Sequence, residues 1–218
     1  MHKHSDNTYT LYWEYLAGSI VVQAMLEEVG AEYSLCHVDM ASDEHLSMSF
    51  RSKNPTGRVP ALGISGGEVI GETGAIITYL TEIYQDSEIA PSPGERCRAT
   101  FLFWLNVLTT SGYMTAARVG HPERYAQDES AVAQVAAKAF DDYDAFFDVI
   151  EHAIAGVPFF MSRGLTVLDF YISMLTEWHH DRDALFNKRP KLSRLCGAVN
   201  ATEVYRKTMN THELQSVA

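Results

Sequence analysis

Asn54-Pro55-Thr56-Gly57-Arg58-Val59-Pro60-Ala61-Leu62-Gly63-Ile64-Ser65-Gly66-Gly67-Glu68-Val69-Ile70-Gly71-Glu72-Thr73-Gly74-Ala75-Ile76 is the stretch on which the reading of this chain turns. Val59 to Ile64 reads as a strand, Ser65-Gly66-Gly67 as a turn and Glu68 to Ile70 as a returning strand, an antiparallel hairpin. An X-Pro bond prefers trans by only about 0.5–1 kcal/mol, so Pro60 can turn the chain in cis and leave the Val59 N–H and C=O facing outward. An extended peptide can dock on such an edge by strand-like pairing. A helix from Thr73 to about Ile83 follows, and its start offers a hydroxyl and free backbone N–H groups in a positive dipole field, which suits a carboxylate. Glu72 beside it can answer an ammonium. Together the two read one α-amino acid zwitterion.

Working outward, Tyr9 to Trp13 reads as a strand and Ser19 to Gly30 as a helix in which Ile20, Val21, Ala24 and Met25 share a face and Gly30 supplies the stop. Tyr33 to Val38 reads as a second strand, and the helix between makes the two a right-handed parallel pair. A polar, partly helical segment near Asp43 to Arg51 leads into the hairpin. Asp86 to Glu95, with Pro91, Pro93 and Gly94 and no apolar period, has the composition of a linker. Beyond it the chain reads helical: Glu95 to Val119, Asp128 to about Ala155, Thr166 to about His180, and shorter helices after Pro190. Thr166-Val167-Leu168-Asp169 fits a capping box, with Leu165 and Phe170 at staple positions. The fold class expected is therefore α/β followed by all-α, with an α/β domain over 1–85, a linker over 86–94 and a helical domain over 95–218.

Composition narrows the function. The 28 Asp and Glu against 17 Lys and Arg leave a formal charge of −11, the wrong sign for tracking a phosphate backbone, so no nucleic-acid partner is expected. No uncharged apolar run reaches the roughly 18 residues of a membrane span. Met1 to Asn7 has no apolar stretch behind its charges, so no secretory signal is read and the expected address is cytoplasmic. Cys36, Cys97 and Cys196 are far apart and lack metal or dithiol spacing. They read as free thiols, each in an apolar stretch as a small buried hydrophobe, and no metal site is expected. His179 and His180, as neighbours on a helix, would point about 100° apart and could not chelate a metal together.

The order strand, helix, strand, hairpin, helix, linker and helical half resembles the thioredoxin-like domain plus helical domain of the glutathione transferases, over nearly the whole chain. Asn54 to Leu62 is similar to the family's segment before the third strand, where a Val-Pro pair holds a cis proline and the valine backbone pairs with the cysteinyl part of glutathione. Glu72-Thr73-Gly74-Ala75-Ile76 resembles its acidic-then-hydroxyl motif, and the Thr166 to Asp169 box falls where the family keeps one in a buried late helix. The resemblance implies a glutathione site at Val59, Pro60, Glu72, Thr73 and Arg58, reduced glutathione as co-substrate, a small hydrophobic electrophile as second substrate, and a homodimer with one protomer's first domain against its partner's helices.

A free thiol has a pKa near 8.5, and a hydroxyl donor plus a helix N-terminus could lower it by about two units. Ser19, at the start of the first helix, stands beside the position where bacterial beta-type members carry a cysteine; that position here is Gly18. Tyr12 stands where tyrosine-type members carry their catalytic hydroxyl. Ser19 is favoured slightly because the helix dipole adds to its hydroxyl, while Tyr15 in the intervening loop stays a third candidate. Each also has a plain structural reading, Ser19 as an N-cap and Tyr12 as a strand aromatic. The electrophile pocket is expected between the domains, with Trp13 and Tyr15 from the loop and Phe103, Val107 and Ser111 from the helix after the linker, continued by Tyr113, Met114 and Arg118. The function expected is thiol conjugation through a stabilised thiolate, with glutathione-dependent peroxide reduction, isomerisation or ether cleavage, or a non-catalytic glutathione-binding module, as alternatives.

Overall fold

The computed structural model describes residues 8–213, arranged as two compact units. Met1 to Asn7, on which the expectation of no secretory signal rests, lies outside the described residues. One unit contains residues up to Ser92 together with those from Thr202 on; the other runs from Pro93 to Ala201.

The first unit opens with β1 (Tyr9–Trp13), α1 (Ser19–Glu28) and β2 (Tyr33–His37), then a 3-10 turn (Glu44–Leu46), α2 (Met48–Arg51), β3 (Ala61–Gly63), β4 (Val69–Gly71) and α3 (Thr73–Ile83). The sheet order is β2-β1-β3-β4, with β1 and β2 parallel and the other pairs antiparallel. This is the thioredoxin-like arrangement read from the sequence. Gly30, at φ 64°, lets the chain leave α1 through a left-handed residue, as its stop signal required. The strand expected over Val59 to Ile64 keeps only Ala61–Gly63 in the ladder, because Pro60 has no N–H to donate.

The second unit contains α4 (Arg98–Val107), a π turn (Leu108–Tyr113), α5 (Met114–Gly120), a 3-10 turn (Pro122–Tyr125), α6 (Glu129–Ala153), α7 (Val167–Glu177), α8 (Arg182–Lys188) and α9 (Pro190–Asn200). The single helix expected over Glu95 to Val119 is therefore divided by a wider turn. At Gly112 a Cβ would lie 2.6 Å from the Phe146 ring and 2.9 Å from a Leu175 methyl, so the turn admits these side chains only because nothing projects there. Asp128 caps α6 by accepting from the Ala131 N–H at 2.9 Å. Every residue of α7 from Val167 to Thr176 is buried, and the capping box closes at its start. The Asp169 carboxylate accepts from the Thr166 N–H at 2.8 Å, the Thr166 hydroxyl at 3.1 Å and the Phe160 N–H at 2.6 Å. Burial nevertheless pushes its pKa up to about 6, against the pull of these donors.

Two expectations about this unit change. The helix read as reaching His180 ends at Glu177, so His179 and His180 lie beyond it and their rings stack at 4.7 Å and 25° instead of diverging. His179 is buried and His180 exposed. No helix among the described residues is long and apolar enough to cross a membrane.

The chain closes with α10 (Glu203–Glu213), which the sequence reading counts with the helical half. By its contacts it belongs with the α/β unit and covers α1. Gln23 donates to the Thr211 hydroxyl at 3.3 Å, Lys207 pairs with Glu27 at 2.7 Å, and the His212 ring meets Trp13 edge-on at 5.1 Å. That second cover explains why α1 is buried on all sides from Ser19 to Leu26 rather than along one apolar face.

Candidate functional site

The register of the sheet places most of the residues singled out from the sequence at one end of the first unit. Cys36, Tyr12, Ala61 and Gly71 form one row across the four strands. One residue further on stand Trp13 at the end of β1, Pro60 before β3 and Glu72 after β4. Because α1 follows β1 through a five-residue loop and α3 follows β4 after Glu72 alone, both helices begin at this same end. Two helix N-termini, each with its positive partial charge and free N–H groups, thus accompany the Val59-Pro60 edge.

Tyr12 is half-buried, its ring edge-on to Phe50 at 5.8 Å and packed against the cluster of Val38, Phe50, Val59 and Ala61. Ala17 from the loop and Met40 join the same cluster, which sets the loop wall beside Val59. Burial raises the Tyr12 pKa and the neighbouring Cys36 adds to the shift, so the phenol keeps its proton at neutral pH and can donate it. No side chain among the described residues hydrogen-bonds to that hydroxyl. Ser19 differs. It is fully buried, forms the first residue of α1 after Gly18, and turns its hydroxyl inward to donate to the Glu14 carbonyl at 3.1 Å.

Val59 is buried and its bond to Pro60 is cis. It lies outside the β3 ladder, and no backbone hydrogen bond among the described residues uses its N–H or C=O. Arg58 is exposed. Glu72 is exposed at the head of α3 with φ 63° and ψ 114°, a left-handed backbone that costs a non-glycine residue on the order of 1–3 kcal/mol. Its carbonyl opens the helix by accepting from the Ile76 N–H at 2.9 Å, and Thr73 follows, buried.

Two residues that the sequence reading passed over hold these pieces. Asn54, 4% exposed, donates to the Arg58 carbonyl at 2.8 Å and accepts from the Thr56 N–H at 3.2 Å and the Thr56 hydroxyl at 2.9 Å. It also fills the space over Gly71, where a Cβ would come within 3.1 Å of its amide, so one side chain braces both the Pro60 and the Glu72 approaches. Glu14 does the same for the β1–α1 loop. Its carboxylate accepts from the Tyr15 N–H at 2.7 Å and the Met40 N–H at 2.8 Å, and lies 2.8 Å from His37 Nε2. Although partial burial opposes it, these donors hold the Glu14 carboxyl below its usual range.

Trp13 is buried and Tyr15 half-buried, their rings meeting at 4.6 Å, with His37 edge-on to Trp13 at 5.5 Å. In the second unit Phe103 is exposed, Val107 ends α4, and Ser111 is exposed within the π turn, where the 3.6-residue spacing from Val107 no longer holds. Tyr113 ends that turn, and Met114 and Arg118 lie on α5. Of the three cysteines only Cys196 is buried, which pushes its thiol up to about 11. Cys36 is exposed, as are Ser34, Leu35 and His37 along the edge strand β2.

Residues 9–82 match the family described as glutathione S-transferase, N-terminal domain. Glutathione S-transferase GstA of Escherichia coli O157:H7 is 27% identical over 77% of this chain and 81% of its own. A glutathione transferase from Methylococcus capsulatus str. Bath has a TM-score of 0.80 at 26% identity, covering 94% of this chain and 99% of that one. A glutathione transferase homolog from Sulfitobacter, crystallised with bound glutathione, has a TM-score of 0.84 at 22% identity over 94% and 98%. The α/β unit thus carries a match to the glutathione S-transferase N-terminal domain over residues 9–82, and the chain is similar to glutathione transferases over most of its length.

Proposed function

We propose that the chain binds reduced glutathione at the end of the first unit's sheet and activates its thiol for attack on a small hydrophobic electrophile. The observation that carries the reading is the convergence at one sheet end of an unpaired Val59 backbone, the Glu72-Thr73 pair and two helix N-termini. The γ-glutamyl carboxylate goes to the Thr73 end of α3 and its ammonium to Glu72, while the cysteinyl backbone pairs with Val59. Arg58, exposed in the segment before Pro60, offers charge to the second carboxylate of the tripeptide. The same ligand is bound by the Sulfitobacter homolog, which supports the assignment.

Tyr12 is the donor to the thiolate. Its hydroxyl is unengaged and keeps its proton, and its ring packs against the Val59 cluster, whereas the Ser19 hydroxyl is committed to Glu14. On ionisation the thiol proton leaves to solvent, and the sulfur is held by the Tyr12 O–H and the positive end of α1. Lowering the thiol pKa by about two units stabilises the thiolate by roughly 2.7 kcal/mol. The sulfur lone pair then forms a C–S bond to the electrophile, either expelling a leaving group with its electron pair or adding across a polarised double bond, whose π pair then takes a proton from solvent. Trp13 and Tyr15, whose rings meet at 4.6 Å, line the second-substrate side of the first unit. The protein acts as a homodimer, which light scattering tests against the 24.4 kDa protomer.

Calorimetric titration with reduced glutathione tests the binding reading. Wild type binds, and Glu72→Gln weakens binding tenfold or more. If wild type takes up no glutathione, the reading fails. Conjugation of an activated aromatic halide against consumption of a hydroperoxide then separates transfer from peroxide reduction.

A further inference from the structure

We propose that Glu14 is a positioning residue for thiol activation, the clamp that sets the β1–α1 loop and the first turn of α1 against the glutathione sulfur. The proposal rests on the glutathione reading above. Glu14 engages the loop at both of its ends. Its carboxylate takes the N–H of Tyr15, the next residue, and its carbonyl takes the hydroxyl of Ser19, where α1 begins. The same carboxylate reaches out of the loop to the Met40 N–H and the His37 ring, which belong to the end of β2 and the segment after it. Four hydrogen bonds therefore pass through one residue, and three of them would be lost with its carboxylate.

The loop needs such a hold. Leu16 at its tip is an exposed non-glycine residue at φ 47°, in the left-handed region. Such a conformation persists only where the surroundings over-determine it, and the Glu14 bonds on either side contribute to that constraint. Ala17, one residue on, packs against the cluster that contains Val59 and Tyr12. A loop fixed by Glu14 thus fixes the wall beside the thiol's donor and the direction of the α1 N-terminus. The γ-glutamyl end of the ligand is read elsewhere, at Glu72 and Thr73, so a loosened loop alters ionisation and rate while sparing affinity.

A second role is distinguishable by sign. If Glu14 acted only as a nearby negative charge, removing it would lower the thiol pKa. If it acts by position, removing it raises the pKa.

The test titrates the ultraviolet absorbance of bound glutathione thiolate with pH, alongside steady-state rates, for wild type, Glu14→Gln and His37→Asn. Glutamine keeps the shape but has one acceptor oxygen for donors now spread over two. Expected for Glu14→Gln are a glutathione Kd within threefold of wild type, a thiol pKa about one unit higher, and a kcat near neutral pH about tenfold lower. That deficit closes above the shifted pKa, where the thiol ionises unaided. A merely structural role lowers the rate alike at every pH and does not move the pKa. His37→Asn, on the edge strand where the side chain is 37% exposed, removes one of the three carboxylate partners and shifts the pKa in the same direction by less. An unchanged or lowered thiol pKa in both variants, with wild type binding and ionising glutathione normally, overturns the Glu14 proposal alone. A wild type that does not bind glutathione overturns both.

Discussion

Replacing Asp169 by alanine removes the acceptor for two buried backbone N–H groups, those of Phe160 and Thr166, and for the Thr166 hydroxyl. A buried donor left without a partner costs about 1–3 kcal/mol, so the two N–H groups together lose roughly 2–6 kcal/mol. The lost helix cap is one of these same bonds and is not counted again. Relief of the desolvated carboxylate offsets part of the loss, and the expected destabilisation is about 3 kcal/mol near neutral pH. Asp169→Asn retains one acceptor oxygen but points its NH2 at a donor, so it leaves one N–H unpaired and costs about 1–3 kcal/mol. Urea unfolding followed by tryptophan fluorescence reads this directly, since Trp104 stacks edge-on with Phe160 at 5.1 Å. The pH dependence gives a second check. The Asp169 pKa in the fold, about 6, lies above the ordinary value of 3.8, so the folded state binds its proton more readily than the unfolded chain does. Its contribution is fully present below pH ~4 and is lost as pH rises through about 6, with a limiting slope near 1.4 kcal/mol per unit. The stability gap between wild type and Asp169→Asn therefore widens on acidification from pH 7 to 4. An Asp169→Ala variant within about 1 kcal/mol of wild type, or a flat gap across that range, would refute the reasoning.

Gly112→Ala brings a methyl against Phe146 and Leu175 and destabilises the second unit by about 1–3 kcal/mol, measurable as a lower urea midpoint; an unchanged midpoint means the π turn has slack. Asn54→Ala releases both approaches to the ligand site, costing about 2 kcal/mol of stability and weakening glutathione binding roughly tenfold by calorimetry. Among the described residues, neither ring nitrogen of buried His212 has a hydrogen-bond partner, and burial pushes its pKa down to about 4. Its contribution is present above the ordinary 6.5 and is lost as pH falls toward about 4, so His212→Phe flattens acid unfolding over that window in a thermal melt series.

Much of this molecule was legible in its sequence because particular residues act locally. Gly30 stops α1, Asp128 and the Thr166-to-Asp169 box start α6 and α7, and Gly66-Gly67 turns the hairpin whatever surrounds them. The destination of α10 was not legible, since its sparse apolar pattern names no partner; only the burial of α1 on every side reveals the cover. The π turn escaped for a related reason: it depends on Phe146 and Leu175 arriving over Gly112 from distant helices. In the candidate site, Val59, Pro60, Glu72 and Thr73 could be singled out from the sequence because the chemistry proposed for them is carried by type and order. Asn54 and Glu14 could not, because each is one polar residue in a loop whose meaning lies in which N–H groups face it. Position along the chain slightly favours Ser19 over Tyr12 as donor, because the helix N-terminus adds its dipole, whereas the donor proposed from the structure is Tyr12. The direction of the Ser19 hydroxyl, which no spacing encodes, is the observation on which that choice rests.

The central claim is that this fold ionises glutathione with Tyr12 as donor. It is tested most directly by the pH titration of bound thiolate absorbance in wild type, Tyr12→Phe and Ser19→Ala. The account predicts a thiol pKa about one to two units below that of free glutathione in wild type and Ser19→Ala, and a return toward the free value in Tyr12→Phe. Bound glutathione that ionises at its free value in wild type, or a Tyr12→Phe variant that ionises it as wild type does, would contradict the account.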